Sequence, residues 1–303
     1  MPTPAPPRDP GRPSALLSVD FEDWHQLARR RLGAADWERP GPALRRQTHV
    51  LLQLLDEMSA RATFFILGVT ARAHPDLLEP IVAAGHEIGC HGDHHLPVSG
   101  QTPAQFEADL AAARRAIEAL TGRAPLGYRA PAFSITRETP WAYEVLAAQG
   151  FAYDASRHDT PRIRHRLPPA GAAPHPIGLA GGATLWEFPA AVWRTGKAPV
   201  PVGGASYWAV LPRRLVIHGL RHAGELPGLY LHPHEFDPRP LRASADRGTA
   251  GLPRRAGALL RAAHRNLARR TAPDTLRLIA RSFRLIPYGE AYAGLSHGAA
   301  ARP

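Results

Sequence analysis

Two histidines four residues apart are the first residues in this 303-residue chain whose type and spacing could support chemistry. His91 and His95 lie in the segment 85–95, where a short apolar run ends in a cluster of imidazoles. If the chain turns there just past a strand end, both ring nitrogens can reach one metal ion. The chain has 16 histidines, so this spacing alone is weak evidence. A hydrolytic metal site also needs an acidic ligand, a base and a proton donor.

Acidic residues suited to these roles stand near the N-terminus. Asp20 ends the apolar run 15–20, a pattern typical of a buried parallel strand with polar chemistry at its C-terminal tip. In extended backbone Asp20 and Glu22 face the same side, whereas Asp23 needs a turn to join them. The spacing therefore supplies a base and a ligand, and leaves open whether Glu22 or Asp23 is the carboxylate that meets the metal.

Three more apolar runs are followed by polar residues, namely Arg129, Asp154 and His232. Parallel sheets place their chemistry at the C-terminal ends of their strands. We therefore expect these side chains to meet Asp20 and the histidine pair at one mouth of the fold.

Predicted strands alternate with predicted helices along the chain, which implies repeated βαβ units and a parallel sheet. The expected strands are 15–20, 62–68, 86–90, 126–131, 151–154, 184–189, 206–211, 228–232 and 283–286. The expected helices are 48–58, 75–84, 102–120, 141–149, 213–222 and 253–281. Residues 160–182, rich in Pro and Gly, indicate a long irregular insertion.

Six stretches, in sequence order, resemble the polysaccharide deacetylases, carbohydrate esterase family 4. They are residues 18–24, 62–68, 85–95, 128–131, 153–156 and 230–235. The resemblance covers most of residues 14–240 and is closest to the branch associated with exosortase and exopolysaccharide gene clusters. It implies an α/β fold, an irregular (β/α) barrel of about seven parallel strands.

The resemblance also implies a role for each matching residue. The catalytic base falls on Asp20, the metal histidines on His91 and His95, and the general acid on His232. Arg129 matches the arginine that orients the base. The commonest first motif of the family has two adjacent aspartates, whereas Phe21 follows Asp20 here. The carboxylate ligand therefore stays open between the two acidic residues that follow.

The remaining expected site residues surround this set. Asp154 matches a position near the acid histidine, where a carboxylate would hold its tautomer and raise its pKa. The backbone N–H near Ala132 matches the oxyanion hole. The chain reads Pro131-Ala132 where the family has a proline-aromatic pair, and Phe133 follows one place later. Trp24 could line a sugar subsite.

Composition limits the organisation and the partners. The chain is 44% hydrophobic and 21% charged, which is typical of a globular protein. We expect a disordered leader at 1–13, the barrel at 14–240 and a C-terminal helical extension at 241–303 packed on the barrel. The first residues lack the pattern of a secretory signal, so the expected location is cytoplasmic. Cys90 is the only cysteine, which excludes an intramolecular disulfide.

The net charge of +11 comes without a nucleic-acid reading motif, so we expect no nucleic-acid partner. The arginine-rich region 253–270 could instead contact a membrane surface. The sequence does not indicate an oligomeric state.

The sequence thus predicts a metal-dependent hydrolase, with Zn²⁺ the expected metal, that removes acetyl groups from an N-acetylated sugar of a polysaccharide or lipid-linked precursor. One alternative is a cytoplasmic hydrolase of a small amide or ureide, similar to allantoinase. Another is a glycan-binding relative without catalytic activity.

Overall fold

A curled, mostly parallel sheet forms the centre of the computed structural model, which describes residues 11–159, 172–196, 198–241 and 251–300. The strands are β1 Ser14–Phe21, β2 Thr63–Ile66, β3 Glu87–Cys90, β4 Gly127–Tyr128, β5 Tyr153–Asp154, β6 His175–Gly178, β7 Thr184–Glu187, β8 Val192–Thr195, β9 Ala198–Pro201, β10 Gly228–Leu231 and β11 Arg284–Ile286.

The sheet follows the order β10-β1-β2-β3-β4-β5-β7-β6. Each neighbouring pair from β10 to β7 is parallel, β11 pairs in parallel with β1, and β6 is antiparallel to β7. Isolated parallel bridges join Ala190 to Gly228 and Gly204 to Tyr230, which brings the chain after β7 back to β10. The expected α/β fold with an irregular barrel of about seven parallel strands is confirmed.

Helices cover the outside of this sheet. They are α1 Trp24–Arg31, α2 Leu44–Glu57, α3 Gly68–Ala73, α4 Leu78–Ala83, α5 Pro103–Thr121, α6 Trp141–Ala148, α7 Arg213–Arg221, α8 Leu252–Ala268, α9 Ala272–Ser282 and α10 Tyr288–Ala300. α5 begins at a capping box in which the Thr102 side chain accepts from the Gln105 N–H and the Gln105 side chain accepts from the Thr102 N–H. None of the described helices is both long and apolar enough to span a bilayer.

The central strand β1 is buried along nearly its whole length, as expected for a strand covered on both faces. Leu17 and Val19 belong to the main core cluster of the protein. Leu16, on the opposite face, packs in a second cluster with Phe65 and Tyr288. Because side chains alternate along a strand, Asp20 shares the face of Leu16 and ends it with a carboxylate.

Among the predicted elements, one strand is replaced by a turn and one helix is divided. Residues 206–211, expected as a strand, form a 3-10 turn at Ala205–Ala209, where the Trp208 indole donates to the Val202 carbonyl over 2.9 Å. The helix expected at 253–281 is two helices, α8 and α9. Pro273 lies in the first turn of α9, where its missing N–H is tolerated, and this explains a helix start there.

Parts of three expectations fall outside the described residues. These are residues 1–10 of the leader, 160–171 of the insertion, and 242–250 and 301–303 of the C-terminal extension. The rest of the insertion contains β6, which forms a hairpin with β7. The domain boundaries at 13 and 240 stay a prediction, and β11 lies in the sheet beside β1.

Candidate active site

A buried ion pair links the first strand to the fourth. Arg129 Nη1 donates to Asp20 Oδ1 over 2.8 Å, and neither side chain is more than 5% exposed. The Arg129 Nε also donates to the Ala155 carbonyl at 3.0 Å, and Nη1 donates to Ser18 Oγ at 2.5 Å. These contacts fix the guanidinium, which in turn fixes the orientation of the Asp20 carboxylate.

Aromatic rings surround the same guanidinium. Its carbon lies 4.4 Å from the ring centroid of Phe65 and 5.4 Å from that of Tyr288. Nη2 also donates to the Tyr288 hydroxyl at 3.0 Å. Burial alone would lower the pKa of Arg129, but the nearby Asp20 carboxylate and the Tyr288 hydroxyl raise it above its ordinary value. The arginine therefore stays charged inside the protein.

Glu22, His91 and His95 bring their donor atoms together at the ends of β1 and β3. Glu22 Oε1 lies 2.8 Å from His95 Nε2 and 3.3 Å from His91 Nε2. Burial favours the neutral form of Glu22, yet His95 and His91 together bring the pKa of the Glu22 carboxyl well below its ordinary value. The carboxylate is thus ionised and poised as an anionic ligand.

The chemistry of this donor set fits a divalent metal. The three ligand atoms lie within 4.8 Å of one another. His91 Nδ1 lies 2.8 Å from the Arg129 carbonyl, so a proton on Nδ1 leaves the Nε2 lone pair free for a metal. Two imidazoles and one carboxylate form the ligand set of hydrolytic zinc sites, in which a further position takes water.

Asp23 is engaged elsewhere, which corrects its inclusion among the metal ligands. Its side chain caps α1 by accepting from the His25 N–H at 2.9 Å and also accepts from the Gly41 N–H at 2.6 Å. His74 Nε2 lies 3.0 Å from Asp23 Oδ2, the oxygen that also accepts from the Gly41 N–H. Asp23 therefore fixes the start of α1 and the backbone at Gly41, whereas the Glu22 carboxylate points to His91 and His95.

His232 lies just after β10 with a carboxylate beside it. Its Nδ1 is 3.4 Å from Glu235 Oε2, and the same Oε2 accepts from the His232 backbone N–H at 2.7 Å. Burial would lower the pKa of His232, but the Glu235 carboxylate outweighs it and raises the pKa above 6.5. A buried histidine that is readily protonated can serve as a general acid.

Asp154 does not take the place expected for it beside His232. It accepts from Ser156 Oγ at 2.5 Å, and among the described residues it has neither a hydrogen bond nor an ion pair with His232. Burial raises the pKa of the Asp154 carboxyl, and the pKa of the adjacent buried Glu187 is raised as well. Glu235, three residues after His232, supplies the carboxylate that the sequence analysis assigned to Asp154.

Backbone strain is concentrated around these residues. Ala132 and Phe133 have φ of 56° and 52°, and His95 also has φ of 56°. Such left-handed angles are unfavourable for side chains other than glycine and persist where the surroundings enforce them. The Phe133 N–H donates to the Ala130 carbonyl at 3.0 Å, whereas the Ala132 N–H donates to no acceptor among the described residues. The Ala132 N–H is thus available to an oxyanion.

A cavity of about 590 Å³ joins the separate parts. Several expected site residues from separate parts of the chain line this cavity. Its lining includes Asp20, Glu22, Trp24, His95, Ala132, Phe133 and His232. The other expected site residues are buried and do not line the cavity. They are Asp23, His91, Arg129, Pro131 and Asp154.

Several residues near the site were not predicted from the sequence, and four of them contact the cavity or the expected site residues. Tyr230 and His158 line the cavity, and Glu235 and Tyr288 support His232 and Arg129 from behind. Glu235 could have been found, because a carboxylate three residues after a histidine lies close to it in a tight turn. Tyr288 carries no such signal, since its contact with Arg129 spans 159 residues of sequence.

Comparison with known proteins gives matches to deacetylases. Residues 40–151 match the family model described as polysaccharide deacetylase. A peptidoglycan deacetylase from Helicobacter pylori is 37% identical over 106 residues, which cover 35% of this chain and 35% of the relative. Both matches are to deacetylases, and each covers less than half of this chain. The matched segment contains His91, His95 and Arg129, whereas Asp20 and Glu22 precede it.

Residues 157–273 match a second model, described as a domain of unknown function, and His232 lies in this part. The chain spans about a third of the length of the curated polysaccharide deacetylase relatives that it matches first.

Two solved structures share the fold over nearly the whole chain. A candidate polysaccharide deacetylase from Mycobacterium smegmatis superposes with a TM-score of 0.57 at 20% identity, covering 98% of this chain and 95% of that one. The Puue allantoinase superposes with a TM-score of 0.55 at 16% identity, covering 96% and 93%. At these identities the likeness shows the fold alone, because one fold supports many functions.

Proposed function

We propose that this protein is a metal-dependent hydrolase that removes the N-acetyl group from an N-acetylated sugar of a polysaccharide or a lipid-linked glycan precursor. The observation that carries the proposal is one cavity lined by Asp20, by Glu22 and His95 of the donor cluster, and by His232. The match of residues 40–151 to the polysaccharide deacetylases supports the same reaction. Assignment to an exopolysaccharide-associated branch stays a prediction.

Glu22, His91 and His95 are the residues that would hold the metal, and we propose Zn²⁺ because two imidazoles and a carboxylate suit it. When bound, such an ion makes water more acidic and polarises a carbonyl group. Asp23 contributes indirectly, because it fixes the start of α1 immediately after Glu22.

Asp20 acts in this proposal as the base that takes a proton from the attacking water. Its partner Arg129 donates to the carboxylate and points it in one direction. The attack produces a tetrahedral centre with a negative oxygen, toward which the Ala132 N–H is available. His232, whose pKa Glu235 raises, gives a proton to the departing sugar amine. Acetate and the free amine are the products.

A comparison of products tests this function. The purified protein loaded with Zn²⁺ is incubated with chitooligosaccharides and, in parallel, with allantoin. We expect acetate together with an equal amount of new amine, and no ureide hydrolysis. Hydrolysis of allantoin without acetate release would instead support the allantoinase-like alternative. The fold of this protein is similar to that of an allantoinase. Sugar binding without metal or turnover would support the non-catalytic alternative.

We also propose a peripheral membrane contact through α8. Its exposed leucines are Leu252, Leu259, Leu260 and Leu267. Their spacing places them on one face of the helix, and the same helix carries several arginines. Exposed leucines combined with arginines suit the surface of an anionic bilayer, where apolar side chains enter the headgroup boundary. The cytoplasmic location remains a prediction.

A further inference from the structure

A cluster of cationic side chains stands at the entrance of the candidate active site. Arg31, at the end of α1, lines the cavity together with Arg261, His264 and Arg265 of α8. These residues come from segments more than 200 positions apart in sequence, so the fold, and not a local run of charge, brings them together. None of them is needed for the hydrolysis proposed above.

No carboxylate in the described part of the chain pairs directly with the three arginines of this cluster. Among the described residues, Arg31, Arg261 and Arg265 form no ion pair and no side-chain hydrogen bond, and other arginines of the chain do. Arg29 pairs with Asp36, and Arg46 pairs with Asp237. Guanidinium N–H groups that donate to no carboxylate are available to an external anion.

Arg261 and Arg265 act electrostatically on Arg31. Burial lowers the pKa of Arg31, Glu22 acts against this, and repulsion from Arg261 and Arg265 lowers it further. The Arg265 guanidinium lies 5.9 Å from the ring of Trp24, which lines the same cavity. Like charges held together at a cavity mouth are unfavourable without an anion, so binding one would relieve their repulsion.

We propose that Arg31, Arg261 and Arg265 form an anion subsite, and that the substrate is a glycan carrying a carboxylate or a phosphate next to its N-acetylated sugar. This inference rests on the proposed deacetylase function and narrows its substrate class. The forked guanidinium donors match both carboxylate and phosphate oxygens. The cavity then has two regions: Asp20 and Glu22 where the acetyl group reacts, and positive charge where the acidic group binds.

Three substrates that share N-acetylglucosamine test the subsite. They are a neutral chitotetraose, an oligosaccharide that alternates N-acetylglucosamine with glucuronic acid, and UDP-N-acetylglucosamine, which supplies phosphate. We expect kcat/KM for acetate release to be at least about 10-fold higher for one of the anionic substrates, because charge-assisted hydrogen bonds exceed neutral ones. The substrate that is preferred identifies the anion as carboxylate or phosphate.

Variants at the cluster provide the second part of the test. Arg31→Gln and Arg261→Gln, each checked for an unchanged Tm, should lower kcat/KM for the preferred anionic substrate and leave that for chitotetraose unchanged. Arg254→Gln is the matched control, since Arg254 is an exposed arginine of α8 outside the cavity lining. Equal kcat/KM for the neutral and both anionic substrates, or equal losses on all of them in the variants, would overturn the subsite.

A binding measurement keeps the two proposals separate. Calorimetric titration of the same three compounds into Asp20→Asn reports recognition without turnover. Tighter binding of an anionic compound that is lost in Arg31→Gln supports the subsite, whether or not acetate is released. Absence of acetate release from all three substrates would count against the deacetylase function and not against the subsite. Equal binding of all three compounds contradicts the subsite.

Discussion

At the residue scale, the histidines of this protein differ in their environment more than in their sequence context. His91 turns Nδ1 to the Arg129 carbonyl, and His232 has Glu235 beside it. His234, two residues later, is buried with neither ring nitrogen hydrogen-bonded among the described residues, and burial together with Arg265 lowers its pKa to about 3. Environment thus separates a metal-ligand candidate, an acid candidate and a neutral core histidine.

The positions of the site residues could be predicted only in part. Strand ends indicated where Asp20, the histidine pair and Arg129 lie, whereas their roles stay predictions from the family resemblance. The choice between Glu22 and Asp23 could not be made, because both follow the same strand and the contacts that hold Asp23 come from the distant Gly41 and His74. Asp154 was placed wrongly, since its partner Glu187 lies on the neighbouring strand β7.

Substitutions of Glu22 and Asp23 should distinguish the metal ligand from the helix cap. Glu22→Gln is expected to lower Zn²⁺ affinity by more than about 10-fold, because it removes an anionic donor from the cluster. Asp23→Ala should keep the metal and instead lower the free energy of unfolding by about 1 kcal/mol, since it removes the cap of α1. Metal content after dialysis and urea unfolding check both expectations. Loss of metal from Asp23→Ala alone would reverse the assignment.

The pH dependence of turnover should depend on Glu235. The Glu235 carboxylate raises the pKa of His232, so a general acid at this position loses its proton, and turnover falls, only when the pH exceeds that raised value. Glu235→Gln should therefore shift the alkaline limb of the kcat profile to lower pH. Stability follows the same sign. The pair stabilises the fold fully between about pH 4.5 and 6.5. This contribution is lost as pH rises through the folded pKa of His232, and also as pH falls through the folded pKa of Glu235, about 2.

Kinetics across pH 5–10 for both proteins check this expectation, with Asp154→Asn as a comparison that should leave the alkaline limb in place. An unchanged limb in Glu235→Gln would show that His232 is not the titrating acid or that Glu235 does not set its pKa.

At the element scale, strand ends and the turns after them position the chemistry. The strand ends were predictable because buried strands appear as short apolar runs. The left-handed backbone at Ala132 and Phe133 was not, since neither residue type favours it and the surrounding structure must impose it. The hairpin of β8 and β9 was also missed, because its short strands are mostly half-buried or exposed and lack a clear alternating pattern.

The helix α8 carries a prediction at this scale. The protein should co-sediment with vesicles containing anionic phospholipid, and the bound fraction should decrease with salt, because surface charges are screened. Leu259→Glu combined with Leu260→Glu should abolish the binding, since these side chains are 61% and 71% exposed. Leu126→Glu, an exposed leucine between α5 and β4, is the matched control. Sedimentation of the double variant at the level of the unaltered protein would contradict a role for α8.

At the scale of the whole molecule, the curled sheet gathers side chains that are far apart in sequence. Asp20 and Arg129 are 109 positions apart, and Arg129 and Tyr288 are 159 positions apart. The parallel order of the strands could be predicted from their alternation with helices. The strand at 283–286 was predicted, but its pairing with β1 and the contact of Tyr288 with Arg129 were not, because local patterns do not report which distant segments meet.

The central claim is that Asp20 is the base of an amide hydrolase, and acetate release by Asp20→Asn tests it most directly. Asparagine keeps an oxygen that can accept from Arg129, so the fold and the bound metal should be retained, as circular dichroism and metal analysis would show. We predict that kcat for N-acetylated oligosaccharides falls by at least about 100-fold, the effect expected on losing a general base. Acetate release at the rate of the unaltered protein would contradict the account.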